Sequence, residues 1–357
     1  MIAASQPIQR RRDAKLLVIR RNGALAHWPR SALVELLQPG DLLVANDAAT
    51  LPASLAGFHV GTGRSIEVRL AGRRSLDPTD VGAFLAVIFG AGDFRTRTED
   101  RPAPPEIVPG DRLQLGPLNA IVETLENHPR LARIRFEGSA AHIWSGLARH
   151  GKPIQYAHVP QPLALWDVWA PIAGPVVAFE PPSAGFALSW EMMRAMAAKG
   201  IELATLTHAA GISSTGDPLL DARLPFDEPY RIPMYTANAI AKAKQRRSQV
   251  IAMGTTVVRA LEDAAQTDGR VKTGPGIATR KIGPTTLLRV VDALVSGTHE
   301  RGTSHYELLR AFAPSTTLDR MEKQLDSHGY TTHEFGDSIL IEKATVRPAG
   351  RPSPTAQ

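Results

Sequence analysis

The stretch Val250–Glu262, which reads VIAMGTTVVRALE, decides the fold. Val250–Met253 is a short apolar run containing β-branched residues, and such a run predicts a buried strand. Gly254 lets the backbone turn sharply, because it has no Cβ. Thr255 or Thr256 is predicted to cap the helix that follows, since a hydroxyl accepts a hydrogen bond from a first-turn N–H group.

The start of this helix is a candidate ligand site. Its free N–H groups and the positive end of its dipole suit a carboxylate, a phosphate or developing negative charge. Arg259 and Glu262 are three residues apart and share one face. Arg259 can therefore bind a substrate carboxylate or pair with Glu262. The alternative for the whole stretch is an ordinary strand–turn–helix unit of an α/β core.

Composition limits the classes of protein. The 357 residues suggest about two domains. The chain has no cysteine, which excludes disulfides, cysteine-ligated zinc, iron–sulfur clusters and a thiol nucleophile. No apolar run reaches the roughly 18 residues of a membrane span, and the N-terminus has no secretory pattern. A cytoplasmic protein without a membrane partner is therefore expected.

The charge balance is basic. The net charge is +6 and the pI is near 9.7. An anionic partner such as RNA fits this charge. A merely basic cytoplasmic protein fits it equally well.

The distribution of predicted strands, helices and turns along the chain predicts an α/β main domain with an inserted small β-barrel-like domain. Short strands with Gly and Pro punctuation fill residues 58–157, a pattern typical of a small barrel or sandwich. Residues 1–57 and 158–343 form the predicted α/β main domain. Residues 344–357, rich in Pro, Gly, Arg and Ser, are predicted to be a disordered tail.

Several stretches, taken in chain order, resemble the S-adenosylmethionine:tRNA ribosyltransferase-isomerase family of queuosine biosynthesis. The best matches are GDLLVAND at 40–47 and GTTVVRALE at 254–262. The others are KLLVIRRNGALAHW at 15–28, LPASLAG at 51–57 followed by IEVRL at 66–70, PPSAGFAL at 181–188, KGIELATLTHAAG at 199–211, VVDALVSGTH at 290–299 and EFGDSILI at 334–341. Together they span nearly the whole chain.

The resemblance implies a fold and a reaction. The fold is an α/β main domain with a smaller β-barrel-like insertion. The ribosyl part of S-adenosylmethionine is moved onto 7-aminomethyl-7-deazaguanine in the tRNA anticodon and isomerises to an epoxycyclopentanediol. Adenine and methionine are released, S-adenosylmethionine is a substrate, and no metal is required.

The chain departs from the family pattern at several motif positions. His208 and His299 stand at family histidine positions. A third family histidine falls on Ala187, and the arginine of an early Pro-Ala-Arg-Leu motif is Ser54. We therefore interpret the chain as a divergent member with a retained scaffold and a remodelled substrate side.

Three residues are candidate catalytic groups. His208 and His299 each follow an apolar run, which places them at strand ends, and histidine suits proton transfer near neutral pH. They could remove the proton next to the sulfonium or assist the adenine leaving group, or each could make a structural hydrogen bond. Glu228 could be a general base or part of a Pro-flanked turn.

The remaining candidates would bind the cosubstrate. Asn46 and Asp47 follow a predicted strand and could bond sugar hydroxyls or shape their own turn. Ser183 and Gly185 lie in a Pro/Gly loop ahead of a helix, where backbone groups can contact a ligand. The predicted binding set is Asn46, Asp47, Ser183, Gly185, Gly254, Thr255, Thr256 and Arg259.

Two other functions stay open at this stage. One is a paralogue that uses S-adenosylmethionine on a small-molecule acceptor, and the other is a non-catalytic homologue that binds nucleotide or RNA. The expected partners are S-adenosylmethionine and tRNA, and the expected oligomeric state is a monomer. We expect the ligand near the start of the Thr255–Ala265 helix, with His208, His299 or both lining its cavity.

Overall fold

The structure is a computed structural model that describes residues 1–7, 11 and 13–344. The strands are β1 (Ile2–Ala3), β2 (Lys15–Ile19), β3 (Leu25–Pro29), β4 (Leu42–Asn46), β5 (Ala49–Thr50), β6 (Ser54–His59), β7 (Ser65–Gly72), β8 (Ala83–Phe89), β9 (Arg112–Leu115), β10 (Leu118–Leu125), β11 (Leu131–Phe136), β12 (Val176–Ala178), β13 (Glu202–His208), β14 (Glu228–Ile232), β15 (Val250–Met253), β16 (Gly274–Ala278), β17 (Ala293–Gly297), β18 (Thr331–Thr332) and β19 (Ser338–Glu342). The helices are α1 (Leu33–Leu36), α2 (Ala140–His150), α3 (Trp190–Lys199), α4 (Pro218–Asp221), α5 (Met234–Gln245), α6 (Thr255–Asp263), α7 (Ser304–Leu309) and α8 (Ser315–Ser327). Short 3₁₀ turns cover Arg30–Ala32, Thr98–Asp100, Leu165–Val168 and Ser183–Ala187. The predicted disordered tail lies outside the described residues, apart from Ala344.

A nine-stranded sheet forms the centre of the main domain. Its strand order is β16-β14-β13-β4-β15-β17-β19-β2-β3. The inner strands β13, β4, β15 and β17 run parallel to one another. Continuous apolar runs such as VIAM suit them, because helices cover both faces of such a sheet. The predicted α/β main domain is confirmed.

Six antiparallel strands close into a barrel in the order β10-β11-β8-β7-β6-β9. Its strands lie between Ser54 and Phe136, in the chain segment that separates β4 from β13. Apolar side chains alternate along them, as in β9, where Leu113 and Leu115 are buried between exposed residues. The predicted barrel-like insertion is therefore confirmed as an architecture. No helix in the described residues is long and apolar enough to cross a membrane.

The turn from β15 into α6 follows the predicted strand–glycine–helix pattern. Gly254 has φ 99°, a left-handed conformation that L side chains rarely adopt. Its N–H donates to the carbonyl of Val295 at 2.8 Å, which ties the turn to β17. The predicted threonine cap is wrong. The helix begins at Thr255 and the cap position is Gly254, which has no side-chain oxygen.

Parallel pairing brings several strand ends to one edge of the sheet. β13 ends at His208, β4 at Asn46, β15 at Met253 and β17 at Gly297. β14 is antiparallel to β13, so it begins at this same edge with Glu228. Ligands of open α/β sheets bind outside the carboxyl ends of the parallel strands, and this edge is therefore where a site is expected.

Candidate functional site

A cleft opens at this edge of the sheet, in front of the start of α6. Loops that follow β12, β13, β15 and β17 form its walls, together with the start of β14 and α7. The lining residues are Glu180, Pro181, Pro182, Ser183, Ala184, Ala210, Gly211, Ile212, Ser213, Pro225, Glu228, Thr255, Thr256, Arg259, Ser296, Gly297, His299, Ser304, His305 and Leu308. Six of the residues singled out from the sequence lie together there: Ser183, Glu228, Thr255, Thr256, Arg259 and His299.

A buried ion pair forms the base of the cleft. Arg259 Nη1 donates to Glu228 Oε2, and both residues are buried. The N–H of Gly211 donates to Glu228 Oε1 at 2.6 Å. Arg259 Nη2 donates to the carbonyl of Ala278 at 3.0 Å and to that of Phe226 at 3.2 Å. Burial lowers the pKa of Arg259 to about 10, which leaves the guanidinium charged at neutral pH.

The predicted pairing of Arg259 with Glu262 is wrong. The carboxylate of Glu262 accepts instead from the backbone N–H groups of Arg289, Val290 and Val291, at 2.7 to 3.0 Å. A buried carboxylate with three such donors needs no cation. Arg259 is thus directed to the start of β14, across the cleft floor.

Two stacked imidazoles form one wall. The rings of His299 and His305 are 4.7 Å apart. His299 Nε2 shares a hydrogen bond of 2.9 Å with Ser296 Oγ. Burial and the neighbouring His305 and His333 hold the pKa of His299 well below its usual range. Burial and the charge of Arg259 lower the pKa of His305 to about 4. Both rings are therefore neutral at pH 7.

His208 lies behind the cleft rather than on its surface. The side chain is fully buried and stacks parallel to the ring of Tyr230, with centroids 6.5 Å apart. Its Nε2 is 3.4 Å from Glu228 Oε2. Neither ring nitrogen of His208 has a hydrogen-bond partner among the described residues. Burial and the charge of Arg259 hold its pKa well below the usual range. His208 is absent from the cleft lining, whereas its neighbour Glu228 belongs to it.

Asn46 and Asp47 bind strand ends rather than facing the cleft. Asn46 Oδ1 accepts from the N–H of His208 at 3.0 Å, and its Nδ2 donates to the carbonyl of His208 at 2.9 Å. The same Nδ2 lies 3.3 Å from Thr256 Oγ1, so Asn46 links β4, β13 and α6. Asp47 accepts from the hydroxyls of Thr205 and Thr207 at 2.8 and 2.7 Å.

The two predicted glycines also lie outside the cleft lining. Gly185 sits in the buried 3₁₀ turn Ser183–Ala187, where its N–H donates to the carbonyl of Pro182 at 2.9 Å. Gly254 supports the turn that sets the start of α6. Both glycines shape the backbone that carries the lining residues.

Glu180 is a lining residue that sequence reasoning missed. It is buried, and Tyr156 Oη donates to its Oε1 at 2.5 Å. Burial raises the pKa of Glu180 to about 7. A carboxyl group with this pKa can exchange a proton near neutral pH. The available signal was its place directly before the Pro-Pro-Ser loop, at the end of the apolar run that contains Phe179.

The cleft contains three kinds of functional group that can bind or react with a ligand. The first turn of α6 presents backbone N–H groups beside the Thr255 and Thr256 hydroxyls, which suits an anionic or hydroxyl-bearing ligand. Two neutral imidazoles provide proton acceptors or hydrogen-bond donors. Glu180 provides a carboxyl group that holds a proton around neutral pH. This set can bind a polar or anionic ligand and move protons on it.

Comparison with known proteins extends over nearly the whole chain. The family model described as queuosine biosynthesis protein matches residues 1–341. The S-adenosylmethionine:tRNA ribosyltransferase-isomerase of Thermosynechococcus vestitus is 31% identical over 348 residues, covering 95% of this chain and 92% of that protein. The enzyme of the same name from Sorangium cellulosum is 33% identical over 371 residues, covering 95% of each chain.

One solved structure is similar in fold. The crystal structure of S-adenosylmethionine tRNA ribosyltransferase from Thermotoga maritima covers 95% of this chain and 96% of its own, with a TM-score of 0.50 and 21% identity. At that identity the likeness concerns the fold alone. The match of the family model over residues 1–341 and the two relatives above 30% identity show the family. The chain therefore belongs to the queuosine biosynthesis protein family.

Proposed function

We propose that this protein is an S-adenosylmethionine:tRNA ribosyltransferase-isomerase. It transfers the ribosyl part of S-adenosylmethionine to 7-aminomethyl-7-deazaguanine in tRNA, and the ribosyl group isomerises to the epoxycyclopentanediol. Adenine and methionine leave. The observation that carries the proposal is the family match over residues 1–341, together with relatives of that name that align along 92 to 95% of their length.

The cosubstrate lies in the cleft, in front of the start of α6. The first-turn N–H groups and the hydroxyls of Thr255 and Thr256 bind its polar oxygens, and the loop at Ser183 covers it. Glu180 and His299 are the proton-transfer groups, because they line the same cleft and each is hydrogen-bonded to a hydroxyl group, of Tyr156 and Ser296 respectively. His299, which is neutral, removes the proton next to the sulfonium, and Glu180, which holds a proton around neutral pH, supplies a proton to the departing adenine.

The remaining predicted site residues have supporting roles in this proposal. Glu228 is held by Arg259 and by the N–H of Gly211, so it orients the cleft floor rather than taking a proton. His208 packs behind Glu228 and keeps water away from the ion pair. Asn46 holds the ends of β4 and β13 in register with α6.

The proposed partners follow from the reaction. The tRNA is polyanionic, and the net charge of +6 favours its approach. We place the enzyme in the cytoplasm as a monomer, and we keep residues 1–57 with 158–343 and residues 58–157 as the two domains. S-adenosylmethionine acts as a substrate, and the chemistry itself uses no metal.

The test is a turnover assay with defined RNA. Purified protein is incubated with S-adenosylmethionine and a tRNA that carries 7-aminomethyl-7-deazaguanine, and free adenine, methionine and the modified nucleoside are quantified by mass spectrometry. We expect equal release of adenine and methionine, coupled to appearance of the epoxycyclopentanediol nucleoside. The same tRNA with unmodified guanine should give none.

Variants separate the cleft from the rest of the surface. His299→Asn should lower adenine release at least about tenfold, in the range that a lost proton-transfer group produces. His27→Asn is the matched control, because His27 is an exposed histidine outside the cleft lining, and its activity should equal that of the wild type. Absence of adenine release by the wild type with the modified tRNA would overturn the proposed function.

A further inference from the structure

Two histidines and a glutamate converge beside the cleft without belonging to its lining. They are His158, His333 and Glu334, and one ligand atom from each lies within 4.8 Å of the others. His158 Nε2 is 3.0 Å from Glu334 Oε2. The rings of His158 and His333 are 4.2 Å apart. Among the residues that the structure describes, no other group of three such side chains is this close.

The backbone at His333 has an unfavourable conformation. Its φ is 68°, a left-handed conformation in which an L residue other than glycine is strained by about 1–2 kcal/mol. Its imidazole is exposed and stacks on the His158 ring, next to the His158–Glu334 hydrogen bond. Strained backbone of this kind clusters at active sites and ligand clamps.

We propose that His158, His333 and Glu334 bind a divalent transition-metal ion of the zinc class. Two imidazole nitrogens and one carboxylate oxygen form a recurring three-residue ligand set for Zn²⁺, and the fourth position then holds water or a ligand. The hard oxygen-only ligands that Mg²⁺ and Ca²⁺ prefer are not present here, because two of the three groups are nitrogen donors. The donor atoms need to move only slightly to surround one ion.

The fold places this ion at the rim of the cleft. His333 and Glu334 lie just before β19, whose Ser338 pairs with Gly297 at the end of β17. Gly297 lines the cleft, and the carbonyl of His333 is 3.9 Å from the position that a Cβ on Gly297 would occupy. An ion here would tie the segment around His158 to the turn before β19. It would brace the rim without taking part in the ribosyl transfer proposed above.

The test measures metal binding directly, on the full chain without a histidine tag. After removal of metals with EDTA, the protein is titrated with ZnCl₂ by calorimetry, and with CoCl₂ by visible absorption, which reports the coordination of cobalt. We expect one ion per chain and cobalt bands typical of four or five ligands. The variants His333→Asn and Glu334→Gln should each weaken Zn²⁺ binding at least about tenfold, as losses around metal sites do.

The variants are chosen to preserve the fold. Asparagine adopts the left-handed conformation more readily than histidine, so His333→Asn removes the imidazole while keeping the turn. Glutamine keeps the shape of Glu334 and an acceptor for His158. Without metal, the melting temperature of each variant should therefore stay within about 5 °C of the wild type, the range of a change of about 1 kcal/mol. Added Zn²⁺ should raise the melting temperature of the wild type more than that of either variant.

His328→Asn is the matched control. His328 stacks on His27 with ring centroids 3.8 Å apart, so the two rings form a second histidine pair. Among the described residues, this pair does not belong to a group of three possible metal ligands. Its Zn²⁺ binding should equal that of the wild type. Absence of saturable binding by the wild type would overturn the proposal. Equal affinity of the wild type, His333→Asn and Glu334→Gln, or equal loss in His328→Asn, would also overturn it.

Discussion

Two buried side chains at the base of the cleft carry opposite charges that compensate each other. Arg259 and Glu228 are both buried and form an ion pair with each other. Among the described residues, neither has another ion-pair partner, except that His208 lies 3.4 Å from Glu228. A buried charge is tolerated because its partner offsets the loss of water. Removing one member therefore leaves the other uncompensated.

The first prediction concerns this pair. Arg259→Met should lower the free energy of unfolding by about 3–5 kcal/mol, because it leaves the buried Glu228 carboxylate without its cationic partner. Urea denaturation measures the change. Arg270→Met is the control, since Arg270 pairs with Asp268 on the surface, and no measurable change is expected there. Equal effects of the two substitutions would contradict the buried-pair argument.

Glu180 predicts a pH dependence of stability. Burial raises its pKa from 4.5 to about 7, so the folded state holds a proton that the unfolded state releases. The resulting stabilisation is fully present below pH 4.5 and is lost as the pH rises through about 7. A shift of this size corresponds to about 3 kcal/mol.

Comparison of the wild type with Glu180→Gln isolates that contribution. Urea unfolding at pH 5 and pH 8 should show a larger fall in the wild type than in the variant, because glutamine does not titrate. The other titrating groups are common to both proteins and cancel in the difference. Parallel pH profiles for the two proteins would show that Glu180 titrates normally.

At the scale of elements, the turn between β15 and α6 sets the position of the cleft floor. An added Cβ at Gly254 would meet Ala184 Cβ at 3.4 Å and Thr256 Oγ1 at 3.7 Å, which are ordinary contacts. The space therefore permits a methyl group, but the φ of 99° does not suit an L residue. The glycine is required by backbone conformation rather than by packing.

Gly254→Ala should lower the free energy of unfolding by about 1–2 kcal/mol, the cost of the left-handed conformation. It should also reduce adenine release, because relaxation of the strain displaces Thr255 and Thr256. Gly283→Ala is the control: its Cβ would meet nothing within 4 Å and its φ is not left-handed, so a change within about 0.5 kcal/mol is expected. A neutral Gly254→Ala would remove the argument from backbone strain.

At the scale of the whole molecule, residues from the main-domain part of the chain pack into the hydrophobic core of the barrel. The apolar cluster inside the barrel includes Phe179, Ile212, Leu220 and Leu224, which all come from the chain after the barrel strands. Phe179 is fully buried and packs edge-on against Phe84 of β8, with ring centroids 6.1 Å apart. Phe179 directly precedes Glu180, so barrel packing positions one wall of the cleft.

Phe179→Ala should therefore lower the free energy of unfolding by about 3–5 kcal/mol, the usual cost of emptying a large aromatic site. Denaturant unfolding followed by tryptophan fluorescence measures it. Phe58→Ala, at a phenylalanine with 52% of its surface exposed, should change stability by less than about 0.5 kcal/mol. If Phe179→Ala were equally mild, the junction would contribute little to folding.

The sequence by itself determined the fold class and the strand–turn–helix unit around Gly254. Apolar runs such as Val250–Met253 predicted the buried strands, and Gly254 predicted the turn, because hydrophobic periodicity and backbone freedom are local properties. The apolar runs before His208 and His299 also predicted that both histidines lie at strand ends. The sequence did not predict that Glu228 begins a strand at the same edge of the sheet. The antiparallel barrel was predictable from its Gly/Pro-punctuated short strands.

Only the tertiary structure decided which charges meet. Arg259 pairs with Glu228, 31 residues away in the chain, and not with Glu262 one helical turn further on. His208 lies behind the cleft, and burial raises the pKa of Glu180 to about 7. Ion pairing and desolvation depend on which strands become neighbours in the sheet, and no local pattern of residues encodes that order.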